Sequence, residues 1–186
     1  VPTCWRETKS FLNEALEEAR YHDLPVMAQE PELSSERIKS VLMQSGRPFL
    51  LAPSKALPTM GRRIAIAWKA GAEAARAVTA ASPWLARAEK VLILSASHNE
   101  AGDDRDRLSA ERLALGLRWQ GIKAEIEVVY SVSSSEGQLL QSKAYDWDAD
   151  LLVMGAYGHS RVREFVLGGA TRGIISNPPL PILLSH

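Results

Sequence analysis

The residues best suited to chemistry in this 186-residue chain lie close together near its C-terminus. Gly155, Gly158, Gly168 and Gly169 remove Cβ atoms where backbone must turn sharply or approach a ligand closely. They follow the apolar run Leu151 to Met154 and precede residues 170–175, which read as a helix whose free N–H groups look back into the loop. Free amides at a helix start favour anions, so phosphate is the first ligand to consider. Polar side chains suited to such a ligand stand in the same stretch. Arg161 and Arg163 carry guanidinium groups that neutralise phosphate oxygens, His159 a ring that hydrogen-bonds them, and Thr171, after Ala170, a hydroxyl.

Covalent chemistry finds little support. The chain has no Gly-x-Ser-x-Gly elbow, Walker loop or His-Glu-x-x-His pair, and Ser160 merely adjoins His159, which is not triad geometry. No catalytic residue is assigned. Asp103, Asp104 and Asp106 lack the Gly and Glu positions of a calcium loop and read as a polar helix entry. Histidines at 22, 98, 159 and 186 show no metal-ligand spacing, so no metal site is assigned either.

The elements that must position these residues alternate along the whole chain. Helical spacing over 11–20 leads to a short strand at 23–28, a helix from Ser34 or Ser35 to Leu42, and a strand at 47–53. Residues 54–61, rich in Pro, Gly and polar side chains, form a linker. Strands then follow at 63–68, 90–96, 124–130, 150–154 and 181–185, with helices between them; Ser82-Pro83 interrupts the first of these helices and Gly121 stops the second. This alternation implies an α/β fold with a doubly wound parallel sheet. Five dispersed tryptophans, without basic interleaving, read as core or interface anchors.

Composition narrows the partners. Hydrophobic residues make up 46% of the chain, enough for a packed core, and 22 basic residues balance 22 acidic ones. That balance leaves no overall field to hold nucleic acid or an anionic membrane. No apolar run approaches the roughly 20 residues of a membrane span. The single Cys4 suits a reducing compartment, and the cytoplasm is the expected location.

The spacing Gly155, two residues, Gly158, nine residues, Gly168, set between a buried strand and a helix, resembles the nucleotide loop of the universal stress protein family. The resemblance implies a five-stranded sheet of order 3-2-1-4-5 in residues 62–186, with ATP, and magnesium with it, as cofactors. An internal repeat extends it. Helix, 23–27, helix, 48–51 matches helix, 150–154, helix, 181–184, so residues 1–53 look like the C-terminal part of a first domain in a tandem chain whose linker is 54–61. That first copy has Gln29-Glu30-Pro31-Glu32 in place of the glycine loop and is expected to take no nucleotide.

In such a sheet the ligand crevice opens at the switch between the strands ending at Trp68 and Met154, which gathers Trp68, Lys69, Met154, Gly155 and Gly158. Two positions depart from the family pattern. Lys69 stands where similar proteins place an acid against the nucleoside, and Gly169 stands where the ATP-binding version has Ser or Thr. Ala96, at the end of the second strand, offers apolar contact. The resemblance implies a stress-response or regulatory module, with self-association through an antiparallel pair of last strands, 48–52 against 181–185. Two other readings stay open: a slow ATP-hydrolysing or phosphate-transferring enzyme using Lys69, His159 and Arg161, and a structural pairing module without nucleotide.

Overall fold

The computed structural model describes residues 13–29, 35–97, 104–130, 136–156 and 178–186. In chain order the described elements are α1 (Asn13–Tyr21), β1 (Val26–Ala28), α2 (Ser35–Ser45), β2 (Phe49–Ala52), β3 (Arg63–Ala67), α3 (Ala72–Ala80), α4 (Ser82–Leu85), β4 (Lys90–Ser97), α5 (Arg105–Trp119), β5 (Ala124–Tyr130), α6 (Glu136–Asp146), β6 (Leu151–Gly155) and β7 (Ile182–Ser185). The seven strands form one sheet in the order β1-β2-β7-β6-β3-β4-β5. Every neighbouring pair is parallel except β2 with β7.

Uniformly apolar strands follow from burial on both faces. Alternate side chains of β3, β4, β6 and β7 enter two separate cores. Ala65, Leu92, Leu152 and Ile182 meet Leu16 of α1, Ile38 and Leu42 of α2 and Ala144 of α6. Ile64, Ile93, Val153 and Leu183 meet Ala77 of α3, Leu85 of α4 and Ala110 and Leu117 of α5. The second layer stops short of one edge. Among the described residues no helix covers β1 on that side, and Val26 is half-exposed.

The antiparallel pair expected of the last strands is present within the chain. Phe49 lies opposite Leu184, Leu50 opposite Leu183 and Leu51 opposite Ile182, and all six are buried. The registers on either side of this seam match. Val26, Met27 and Ala28 pair with Leu50, Leu51 and Ala52, while Val153, Met154 and Gly155 pair with Leu183, Leu184 and Ser185. The Gln29 amide donates to the Ala52 carbonyl at 2.8 Å, and the Ala156 amide to the Ser185 carbonyl at 2.9 Å. A local two-fold through Leu50 and Leu183 therefore carries β1 and β2 onto β6 and β7. Pro25, without an N–H, stands just before β1 at the open edge, where a missing donor costs little.

Helix ends follow local chemistry. Pro83 has no N–H for the Thr79 carbonyl, and the Ser82 hydroxyl donates to that carbonyl instead at 2.7 Å, so the chain breaks at Ala81 and restarts as α4. Gly121 closes α5 with φ at 82°, its N–H going to the Arg118 carbonyl and that of Ile122 to Leu117, the doubly bonded left-handed stop of a Schellman turn. Gly116, inside α5, has open space where a Cβ would go. Gly116→Ala is therefore expected to stabilise the chain by about 0.5–1 kcal/mol, seen as a higher urea midpoint at unchanged slope.

Candidate functional site

β3 and β6 are neighbours in the middle of the sheet, and from them the chain leaves in opposite directions, β3 toward β4 and β6 toward β7. The crevice at their carboxyl ends is the expected ligand position in such a sheet. Ala67 pairs with Met154, which brings Trp68 and Lys69 on one side beside Gly155 and Ala156 on the other. Of the expected site residues, Trp68, Lys69, Ala96, Met154 and Gly155 are described. Gly158, His159, Arg161, Gly168, Gly169, Ala170 and Thr171 lie outside the described residues.

Trp68 is held by its surroundings. Its amide donates to the Leu94 carbonyl at 2.8 Å, its carbonyl accepts from the Ser95 hydroxyl at 3.0 Å, and its indole N–H donates to Ser109 Oγ on α5 at 2.8 Å. The half-buried ring belongs to the core shared by α3, α4 and α5, so the main chain of Trp68 borders the crevice while its side chain is turned to α5. Lys69 is exposed, Ala96 half-buried and Met154 buried.

Gly155 has a packing role that its sequence position did not reveal. A Cβ built there would stand 2.4 Å from the Ala74 amide nitrogen and 2.7 Å from the Glu73 carbonyl carbon. The first turn of α3 thus rests directly on the end of β6, backbone against backbone. Glu73 in that turn is buried, an unusual place for a carboxylate. Among the described residues its Oε1 accepts no hydrogen bond, and it faces the Arg76 guanidinium at 3.8 Å. Arg76 in turn donates through Nε to the His186 carbonyl at 2.7 Å, and the His186 ring shares a hydrogen bond with the Ala156 carbonyl at 3.2 Å. The positive end of α3 therefore already has its own carboxylate. The sequence signal was a Glu one residue inside a helix start, behind Gly71.

The amino end of the same strand pair is tied by Asp150, which reads in the sequence only as a strand start. Its buried carboxylate accepts from Thr59 Oγ1 at 2.7 Å and from the amides of Gly61 at 2.9 Å, Arg62 at 3.2 Å and Arg63 at 2.9 Å. Arg63 stacks its guanidinium 4.5 Å from the centre of the Trp147 ring and donates to the Trp147 and Asp148 carbonyls. These bonds fix where β3 begins relative to β6, and so the depth of the crevice at their far ends.

A family model described as the universal stress protein family matches residues 61–186, which contain the whole crevice. The chain belongs to the universal stress protein family. A universal stress protein from Synechocystis sp. is 36% identical over 67 residues, covering 36% of this chain and 22% of the relative. A universal stress protein structure from Archaeoglobus fulgidus superposes with a TM-score of 0.74 at 18% identity, covering 94% of this chain and 66% of that one. A structure described as a universal stress protein in complex with cAMP gives a TM-score of 0.51 at 21% identity, covering 67% of this chain and 96% of that one. At these identities the solved structures establish the α/β universal stress fold with its mostly parallel sheet. This member of the family spans less than two thirds of the curated relative and of the Archaeoglobus chain. Among its described residues no helix is long and apolar enough to cross a membrane, and no three His, Cys, Asp or Glu side chains cluster as metal ligands.

Proposed function

We propose that residues 62–186 bind an adenine nucleotide, ATP with magnesium or a cyclic relative, in the crevice between β3 and β6, and that the chain acts in the cytoplasm as a stress-response or regulatory module rather than an enzyme. The observation that carries this reading is the position of Gly155. It ends β6 at the switch point, within the segment matched by the family model, and opens the glycine series through Gly158, Gly168 and Gly169. A family structure described with cAMP supports the ligand class. Backbone amides carry the phosphate contacts in this proposal, with His159, Arg161 and Thr171 beside them. Lys69, exposed at the end of β3, adds positive charge near the phosphates.

The test is titration calorimetry of the whole chain with ATP and with cAMP, with and without magnesium. Binding of one of them, lost in Gly158→Val while the far-UV spectrum is kept, is the expected result. Absence of heat with either nucleotide, and none retained after denaturation, would sink the reading. It would leave the chain a pairing module, which the packing of Gly155 on α3 and the buried Glu73 favour, since both account for this region without a ligand.

We also propose that residues 1–53 are the C-terminal part of a second copy of the fold, joined by the linker 54–61. The two-fold register across β2 and β7 supports this, because it equates Val26-Met27-Ala28 with Val153-Met154-Gly155 and, by extension, Asp23 with Asp150. An open groove of about 420 Å³ beside α3, bordered by Gly46, Arg47, Arg76 and Thr79, lies next to the seam where the two-fold would set a counterpart of α3. In this reading the sheet order 3-2-1-4-5 belongs to residues 62–186, and the two copies share one sheet.

A further inference from the structure

Strand β7 has β6 on one side and β2 on the other, so the last strands are consumed within the chain and offer no edge to a second molecule. Exposed apolar surface collects on α5 instead. Leu108 is 51% exposed, Leu115 48% and Trp119 81%, the highest value among the exposed large apolar side chains of the described residues. Steps of seven and four residues put these three on one stripe, facing away from Ala110 and Leu117, which are buried in the core. Glu111 and Arg112 flank the stripe between the two leucines. Both are exposed, and neither makes a hydrogen bond or ion pair among the described residues.

We infer that this stripe is a self-association surface that docks on α5 of a second copy of the chain, the two helices running parallel and in register. The charges select the occupant. At 100° per residue Glu111 and Arg112 fall on opposite flanks of the stripe, about 50° to either side. In a parallel pair one flank meets the opposite flank of the partner, so each Glu111 faces the partner's Arg112 and both unpaired charges are answered twice. In an antiparallel pair centred on the stripe each flank meets itself reversed, and Glu111 would face the partner's Arg118, exposed seven residues along the same flank, so the direction follows from the apolar stacking. The parallel register also stacks leucine on leucine at 108 and 115, and Trp119 on Trp119 at the carboxyl end. One helix pair buries less than the roughly 1,200–2,000 Å² of a standard interface, so the dimer is expected to be concentration-dependent rather than obligate.

Sedimentation velocity of the whole chain over a wide concentration range tests this, with far-UV spectra to show that each variant is folded. A reversible monomer–dimer equilibrium is expected, with Leu115→Glu raising the dissociation constant at least about tenfold. Glu111→Arg and Arg112→Glu should each associate poorly alone, yet form a heterodimer when mixed, and the double exchange Glu111→Arg with Arg112→Glu should restore wild-type association. A chain that stays monomeric throughout overturns the inference, as does a dimer indifferent to Leu115→Glu and Glu111→Arg. Loss of association in the double exchange overturns the parallel register.

Discussion

Gly155→Ala is expected to destabilise the chain by about 3 kcal/mol, the upper end of what an added methyl group costs in a packed interior. The new Cβ would meet the Ala74 nitrogen at 2.4 Å, the Glu73 carbonyl carbon at 2.7 Å and the Ala74 Cα at 2.9 Å. These are backbone atoms, and no rotamer change moves them aside. Relief requires the first turn of α3 to lift from β6, which also shifts Ala77 in the second core and draws Glu73 toward water. The measurement is the urea midpoint at constant slope, with Gly116→Ala as the contrasting substitution into open space. An unchanged midpoint in Gly155→Ala would remove the packing role. If nucleotide affinity then fell with stability intact, Gly155 would be reserved for ligand approach alone. A folded but destabilised variant that also binds less nucleotide means that both demands fall on one residue.

The packing demand on Gly155 marks how far the sequence could be read. Residues 64–67, 91–94 and 151–154 are apolar at every position because helices cover both faces of their strands, and such runs are legible without a structure. The seam of β2 and β7 was legible for a related reason, since two apolar strands end matching repeats and neither suits exposure. The crevice was legible in its main chain and not in its side chains. Trp68 stands where the switch point predicts, but its ring is turned to Ser109, 41 residues further on, and no local pattern encodes that choice. Glu73 sits in an alanine-rich helix with no local pattern that marks it for burial; α3 there presses on Gly155, a contact between segments some eighty residues apart. Asp150 reads as the polar start of a strand because its donors lie some ninety residues earlier, two in the linker and two at the start of β3.

Asp150 also allows the proposed second copy to be tested inside one molecule. Asp150→Ala is expected to cost about 3–5 kcal/mol, since three backbone amides and a hydroxyl lose a charged acceptor and two of those donors lie at the start of β3. The two-fold across β2 and β7 sets Asp23 at the corresponding place before β1. Asp23 is exposed, and among the described residues it makes no hydrogen bond or ion pair and has no strand beyond β1 to serve. Asp23→Ala should therefore change stability by less than about 0.5 kcal/mol, the range of an ordinary surface substitution. The same two aspartates thus give opposite results because one has its β3 and the other does not. Supplying the missing strand should reverse this. In a longer chain carrying an apolar strand that pairs with β1 in parallel, as β3 pairs with β6, Asp23→Ala is expected to approach the cost of Asp150→Ala, because the amides opening that strand would fall within reach of its carboxylate. Urea unfolding of both variants in both chains measures the difference. A neutral Asp23→Ala in the longer chain, with the added strand protected from hydrogen exchange, would break the equivalence of the two repeats at this residue.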